Sequence, residues 1–257
     1  MIDARHPTIQ LHYVLGMRMD YAERSILYKE ILGLAKASQS SYCCVPNVHM
    51  CMEAYDNPEF RDTINSADVV FSDSVILERS RSFLYGVNRH ETLRGAQMLL
   101  DLCAGCEAET ITVGFYGGSE ETIVALRSNI QRKYPNLHIS YAHSPPFRSL
   151  RDAEMETVIR KIQTAKVQLL FVGIGCPKQE IWIAENKGKI DACMIGVGAA
   201  FDFNAGTVAP SPAWVHRAGL EWLYRLISEP RRLWRRHLST APRFILKLIS
   251  SKLSGRG

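Results

Sequence analysis

No stretch of this 257-residue chain approaches the roughly 20 consecutive apolar residues that a bilayer-spanning helix needs, so any membrane contact is expected to be peripheral. The N-terminal MIDARHPTIQ lacks the apolar core of a cleavable signal peptide. Seven cysteines are an odd number, Cys43 and Cys44 are adjacent, and no regular framework emerges; a reducing cytoplasm is the expected compartment. Cys103 and Cys106 have the spacing of half a zinc site, but no suitable second pair follows, so they read as plain thiols. No G-x-G-x-x-G follows the first strands and no acidic residue stands at the distance a dinucleotide ribose requires, which argues against a dinucleotide-dependent oxidoreductase.

What is present is 46% hydrophobic and 22% charged, enough for one main domain with something appended. The net charge is +5, yet residues 214–257 carry +8 and the rest −3. The stretch GLEWLYRLISEPRRLWRRHL (219–238) sets Arg225, Arg231, Arg232, Arg235 and Arg236 among Trp222 and Trp234. Such an excess seeks anions: nucleic-acid phosphates, lipid headgroups or a diphosphate substrate. Pro230 and Pro242 are expected to divide this tail into short helices, with FILKLISSKL (244–253) as a last amphipathic piece. The division expected is a main domain over 1–210 and a basic amphipathic, membrane-associating appendage over 211–257.

From residue 9 to residue 200, short apolar runs alternate with helical patterns. IQLHYVL (9–15), YCCVP (42–46), DVVFS (68–72), TITVGFY (110–116), LHISYA (137–142), QLLFVGI (168–174) and ACMIGVG (192–198) read as strands. Segments such as MCMEAYDNPEFRDTI and SEETIVALRSNIQRKY between them repeat apolar residues at helical spacing. The alternation predicts an α/β fold: a mostly parallel, Rossmann-like sheet with helices on both faces. Ligands of such sheets bind beyond the carboxyl ends of the strands, so the loops there carry the candidate chemistry.

Gly117 and Gly118 permit a tight turn into a helix whose free amides suit a phosphate, although the turn alone explains the glycines. In Gly175-Cys176-Pro177-Lys178-Gln179-Glu180, Pro177 fits the first helical position, and Lys178 is unfavourable beside the positive end of a helix unless an anion lies nearby. Asp202, between Phe201 and Phe203, is either a ligand contact or a buried pairing partner for its loop. Asp73 directly follows a strand and is either an N-cap or a general base. Asn47 either meets sugar hydroxyls or closes an Asx turn.

Taken in order, PN at 46–47, SDS at 72–74, FYGG at 115–118, GCPKQE at 175–180, GAAFDFNAG at 198–206 and the arginine-rich tail resemble the TagA/WecG/CpsF family of glycosyltransferases. The resemblance implies inverting transfer of a sugar from a UDP-sugar donor to a polyprenyl-diphosphate-linked sugar, without metal or other cofactor, at the cytoplasmic face of the cell membrane. Asp73 matches the family's catalytic base, and Asn47 and Gln179 match polar residues of the sugar and nucleotide site. Gly117, Gly118, Lys178, Asp202, Arg225, Arg231 and Arg232 are the further candidates for substrate binding.

The chain also departs from the family pattern. Val45 stands where a threonine is usual, Ser74 replaces a glycine, and the usual Glu-Arg-x-x-Gly reads His90-Glu91-Thr92-Leu93-Arg94-Gly95. Arg94 or Arg89 is then expected to supply the phosphate-binding cation. The resemblance further implies that the appendage meets an anionic membrane surface, with Trp222, Trp234, Leu223, Leu226, Leu233 and Leu238 at the interface, and that the chain self-associates as a homo-oligomer. A nucleic-acid-binding module built on the basic aromatic tail is the competing reading, but it gives the sheet and its polar loops no role.

Overall fold

The computed structural model describes residues 2–3, 6–88, 94–228 and 230–254, without the side chains of residues 2, 3, 6–8, 213 and 230–239. The chain begins with β1 (Ile2–Asp3), β2 (His6–Val14) and β3 (Met17–Tyr21), which form a small antiparallel sheet of their own. Val14 pairs with Met17 across a two-residue turn in which Leu15 and Gly16 both take positive φ, 52° and 83°. The run at 9–15 is therefore a strand, but it lies in this hairpin and not in the parallel sheet.

Next come α1 (Arg24–Lys36), β4 (Ser41–Cys44), α2 (Val48–Asp56), α3 (Pro58–Asn65), β5 (Val69–Val70), α4 (Val75–Tyr85) and α5 (Gly95–Ala108). Then β6 (Val113–Gly117), α6 (Glu120–Lys133), β7 (Ile139–His143), α7 (Asp152–Thr164), β8 (Leu169–Gly173), α8 (Lys178–Glu185), β9 (Cys193–Gly196) and α9 (Ala200–Ala205) complete the sheet layer. The six strands β4 to β9 pair in the order β5-β4-β9-β8-β6-β7, every pair parallel. The α/β architecture read from the alternation is the one observed.

Both faces of the sheet are covered, which is why its strands read as continuous apolar runs. Phe115, Phe171 and Ile195 face Leu99, Leu126 and Phe201, while Tyr116, Val172 and Met194 share the opposite core with Ile64, Trp182 and Ile183. The segment MCMEAYDNPEFRDTI, read as one helical stretch, is two helices. Asn57 ends α2, and its side chain accepts from the amides of Glu59 and Phe60 at 3.0 and 3.2 Å, so that Pro58 can start α3.

Three helices close the chain: α10 (Ala213–Ala218), α11 (Glu221–Ser228) and α12 (Pro230–Leu253). Pro230 opens α12 as expected, but Pro242 does not divide it; the helix runs through it for 24 residues. Tertiary packing offsets the lost backbone donor. Phe244 is buried in the core, Arg243 grips Asp56 through two hydrogen bonds of 2.9 and 2.6 Å, and the Lys247 ammonium lies 5.1 Å from the Tyr55 ring. The end of the basic tail is thus anchored to the sheet domain along α2.

Candidate active site

A cavity of about 1150 Å³ opens at the carboxyl ends of the parallel strands and extends beneath the C-terminal helices. It exceeds the roughly 300–1000 Å³ usual for one small ligand, leaving room for two substrates to meet. Asn47, Asp73, Arg94, Gly118, Lys178, Gln179, Asp202 and Arg225 all line it. Residues spread over 179 positions of sequence are brought together because most of them follow a strand or sit at the start of a helix at the same edge of the sheet, while Arg225 reaches the cavity from within α11.

Asp73 lies between β5 and α4. The capping role is taken by its neighbour Ser74, whose hydroxyl accepts from the Leu77 amide at 3.4 Å, so the carboxylate of Asp73 is left for other use. It sits deep in the cavity with part of its surface still open to it. Burial, reinforced by the negative charge of Glu221, pushes its pKa from the usual carboxylate range up to about 7, against opposing contributions from His216 and the Gly95 amide. A carboxylate tuned there is suited to accept a proton near neutral pH. The absence of a side chain at Gly95 makes this arrangement possible, since a Cβ there would lie 2.8 Å from Asp73 Oδ2. Gly95→Ala should lower kcat by about tenfold to a hundredfold by displacing the carboxylate, without loss of thermal stability, because alanine favours helix. Steady-state kinetics beside a melting curve check both halves of that expectation.

Arg94 precedes α5, and its Nη2 is buried with no hydrogen-bond partner among the described residues. A charged donor left unsatisfied is costly unless a ligand completes it, and a diphosphate oxygen would do so. The Arg225 guanidinium, also at the cavity, lies over the Phe203 ring, 5.6 Å from its centre. Lys178 is exposed at the start of α8, after a cis Cys176–Pro177 bond, with Pro177 one position ahead of the helix.

The glycine turn divides its duties. Gly117 (φ 132°) does not line the cavity; a Cβ there would meet the Gly173 backbone at 2.5 Å, so it serves the packing of β6 on β8. Gly118 (φ 68°) faces the cavity, and Ser119 then caps α6 by accepting from Thr122 N at 3.2 Å. Thr122 in turn donates to Asp202 Oδ1 at 3.4 Å, which gives Asp202 a pairing partner at the cavity wall. Asn47 likewise has a structural duty: its Oδ1 accepts from Met50 N at 3.1 Å and caps α2. Gln179 is 4% exposed; its Oε1 accepts from Gly175 N at 3.2 Å and its Nε2 donates to Glu180 Oε1 at 2.6 Å.

Other predicted positions fall elsewhere. Arg89 lies outside the described residues, and the side chains of Arg231, Arg232, Leu233, Trp234 and Leu238 lie outside the description. Trp222, expected at a lipid interface, lines the cavity, whereas Leu223 is exposed and Leu226 half-buried. His216 and Glu221 were not anticipated. Both line the cavity, joined by a 2.9 Å hydrogen bond between His216 Nδ1 and Glu221 Oε2. Burial works against the Glu221 charge, but the His216 hydrogen bond and the charges of His216, Arg94 and Arg225 hold its carboxyl below its ordinary value. Among the described residues no three His, Cys, Asp or Glu side chains group as a metal site, and Cys103 and Cys106 are buried in the core.

Known proteins resemble this chain over most of its length. The profile of the Glycosyl transferase WecG/TagA/CpsF family matches residues 12–257. The N-acetylglucosaminyldiphosphoundecaprenol N-acetyl-beta-D-mannosaminyltransferase of Staphylococcus aureus is 26% identical over 218 residues, 84% of this chain and 83% of its own length. The protein of the same name from Bacillus spizizenii is 26% identical over 213 residues, 82% and 80% of the two chains. With a strand-end cavity of this composition and a profile match over nearly its whole length, the chain belongs to the WecG/TagA/CpsF family of glycosyltransferases.

Proposed function

We propose that this chain is an inverting, metal-independent glycosyltransferase. It moves a hexose or N-acetylhexosamine, with N-acetylmannosamine or glucose foremost, from a UDP-sugar to a polyprenyl-diphosphate-linked sugar in cell-surface or exopolysaccharide synthesis. The observation that carries the reading is a deep carboxylate, Asp73, sharing one cavity with Arg94, whose buried Nη2 has no hydrogen-bond partner among the described residues. The acceptor hydroxyl gives its proton to Asp73 as its oxygen bonds to the anomeric carbon; the bond from that carbon to the diphosphate breaks on the opposite side, inverting the centre. UDP leaves with the bonding electrons, and Arg94, Arg225 and the amides at the start of α6 offset its growing charge. Asn47 and Gln179 serve to hold the cavity wall and orient the sugars.

Because the base must be ionised and burial holds Asp73 near 7, kcat/KM should fall about tenfold per unit as pH drops below that value. A pH–rate profile flat from 5 to 8 would exclude Asp73 as the titrating base.

In this reading the enzyme works at the cytoplasmic face of the cell membrane, on a lipid-linked acceptor. No helix among the described residues is long and apolar enough to cross one, but Ile245, Ile249 and Leu253 make an exposed stripe at helical spacing on α12, beside Lys247 and Lys252. This stripe, with exposed Leu223 and Ile227 on α11, is the peripheral contact with anionic lipid. Ile249→Glu with Leu253→Glu should reduce co-sedimentation with phosphatidylglycerol vesicles at least tenfold while leaving the melting temperature in place; unaltered binding would move the contact elsewhere.

A further inference from the structure

The helices after residue 212 do more than roof the cavity. The guanidinium of Arg79, on α4 six residues after Asp73, donates to the Arg217 and Ala218 carbonyls at 3.1 and 2.9 Å. Those carbonyls lie at the carboxyl end of α10, where free acceptors need partners. The turn that follows is closed at both ends: Gly219 N donates to His216 O at 2.8 Å and Leu220 N to Val215 O at 2.9 Å, with Gly219 at φ 78°. A Cβ on Gly219 would lie 3.4 to 3.6 Å from Arg79, Ile76 and Val75, so this turn is seated on the first turns of α4. His216 stands on one side of the turn and Glu221 on the other, and their 2.9 Å hydrogen bond spans it.

We propose that Arg79, His216 and Glu221 are positioning residues for Asp73: Arg79 latches the α10–α11 turn onto α4, and the latched turn holds the His216–Glu221 pair against the catalytic carboxylate. This rests on the reading of Asp73 as the base. Glu221 supplies a fixed negative charge that makes the neighbouring carboxylate a better proton acceptor, and His216 restrains that effect by binding Glu221 and by its own charge when protonated. The burial and charge acting on Asp73 are consistent with this, since Glu221 raises its pKa and His216 lowers it. The other charged or titratable groups facing the set are Arg94 before α5, Arg225 on α11, and Tyr28 on α1, whose phenol burial and the Asp101 and Asp73 charges push upward. The latched turn thus adds a fixed charge to the burial that already makes Asp73 a proton acceptor.

The test is the pH dependence of kcat/KM for full-length protein, with UDP-N-acetylmannosamine and a detergent-dispersed polyprenyl-diphosphate N-acetylglucosamine. Glu221→Gln should move the acid limb down by about one pH unit, and Arg79→Ala should move it in the same direction. His216→Gln, which can still donate to Glu221, should move it up. Opposite shifts from two bonded neighbours are not what loss of packing alone produces. A second readout needs no turnover: the carboxyl carbon of Asp73, assigned by its disappearance in Asp73→Asn, is titrated by NMR in the wild type and Glu221→Gln proteins. A midpoint that falls in Glu221→Gln supports the proposal. Unchanged limbs and an unchanged midpoint, with Asp73→Asn inactive, overturn it and leave the base assignment standing. Full activity in Asp73→Asn overturns both.

Discussion

Asp73→Asn is expected to lower kcat by about 10²- to 10⁴-fold with little change in the KM for the nucleotide sugar. The amide has the shape of the carboxylate and can still accept from the Gly95 amide, and Ser74 keeps the cap of α4, so the fold has no reason to change. What is lost is the group that takes the acceptor proton. Removing a charge from a buried site also removes its desolvation cost, so the melting temperature should hold or rise. A variant with normal melting and a kcat within threefold of wild type would remove Asp73 from the chemistry.

The largest effect on stability is expected from Asp20→Ala. Arg18 and Asp20, one face of β3, are buried with side chains only 7% and 1% exposed, and they pair through two hydrogen bonds of 2.6 and 2.7 Å. Asp20 Oδ2 also accepts from Val70 N at 2.9 Å, and Arg18 Nη1 donates to the Ala67 carbonyl at 2.8 Å. The pair therefore bolts the hairpin to β5, the strand that delivers Asp73. Alanine at position 20 strands a buried guanidinium, which costs about 3–5 kcal/mol. Replacing both partners by apolar residues, Arg18→Met with Asp20→Leu, should recover much of that loss. Urea unfolding of the three proteins measures the difference directly; a single variant within 1 kcal/mol of wild type would mean that water reaches the pair.

These residues also explain which parts of the structure could be read from the chain. Strands such as QLLFVGI are apolar on both faces because helices cover both sides of a parallel sheet, and that pattern is visible without coordinates. MRMDY does not look like a buried strand, because Arg18 and Asp20 are buried only by virtue of each other and of carbonyls about fifty positions away. Asn57-Pro58 marks a helix start that apolar spacing alone runs straight through. The proposed base, Asp73, was legible as a carboxylate at a strand end, but whether it would cap α4 depended on whether Ser74 would do so instead. His216 and Glu221 were hidden within a tail whose charge drew attention to its arginines. The cue was Gly219, a helix-ending glycine between them that turns the chain back toward the cavity. Pro242 misled because a proline's local cost was outweighed by Phe244 and Arg243 anchoring the same helix.

The most direct test of the account is acceptor-dependent release of UDP by full-length protein, with a panel of UDP-sugars and a polyprenyl-diphosphate-linked N-acetylglucosamine. The account predicts that one donor turns over only when the lipid acceptor is present, giving a product of inverted anomeric configuration, with activity that survives chelation of divalent ions. If folded protein releases no UDP from any donor in the presence of that acceptor and its close sugar variants, or gives a product of retained configuration, the central claim is contradicted.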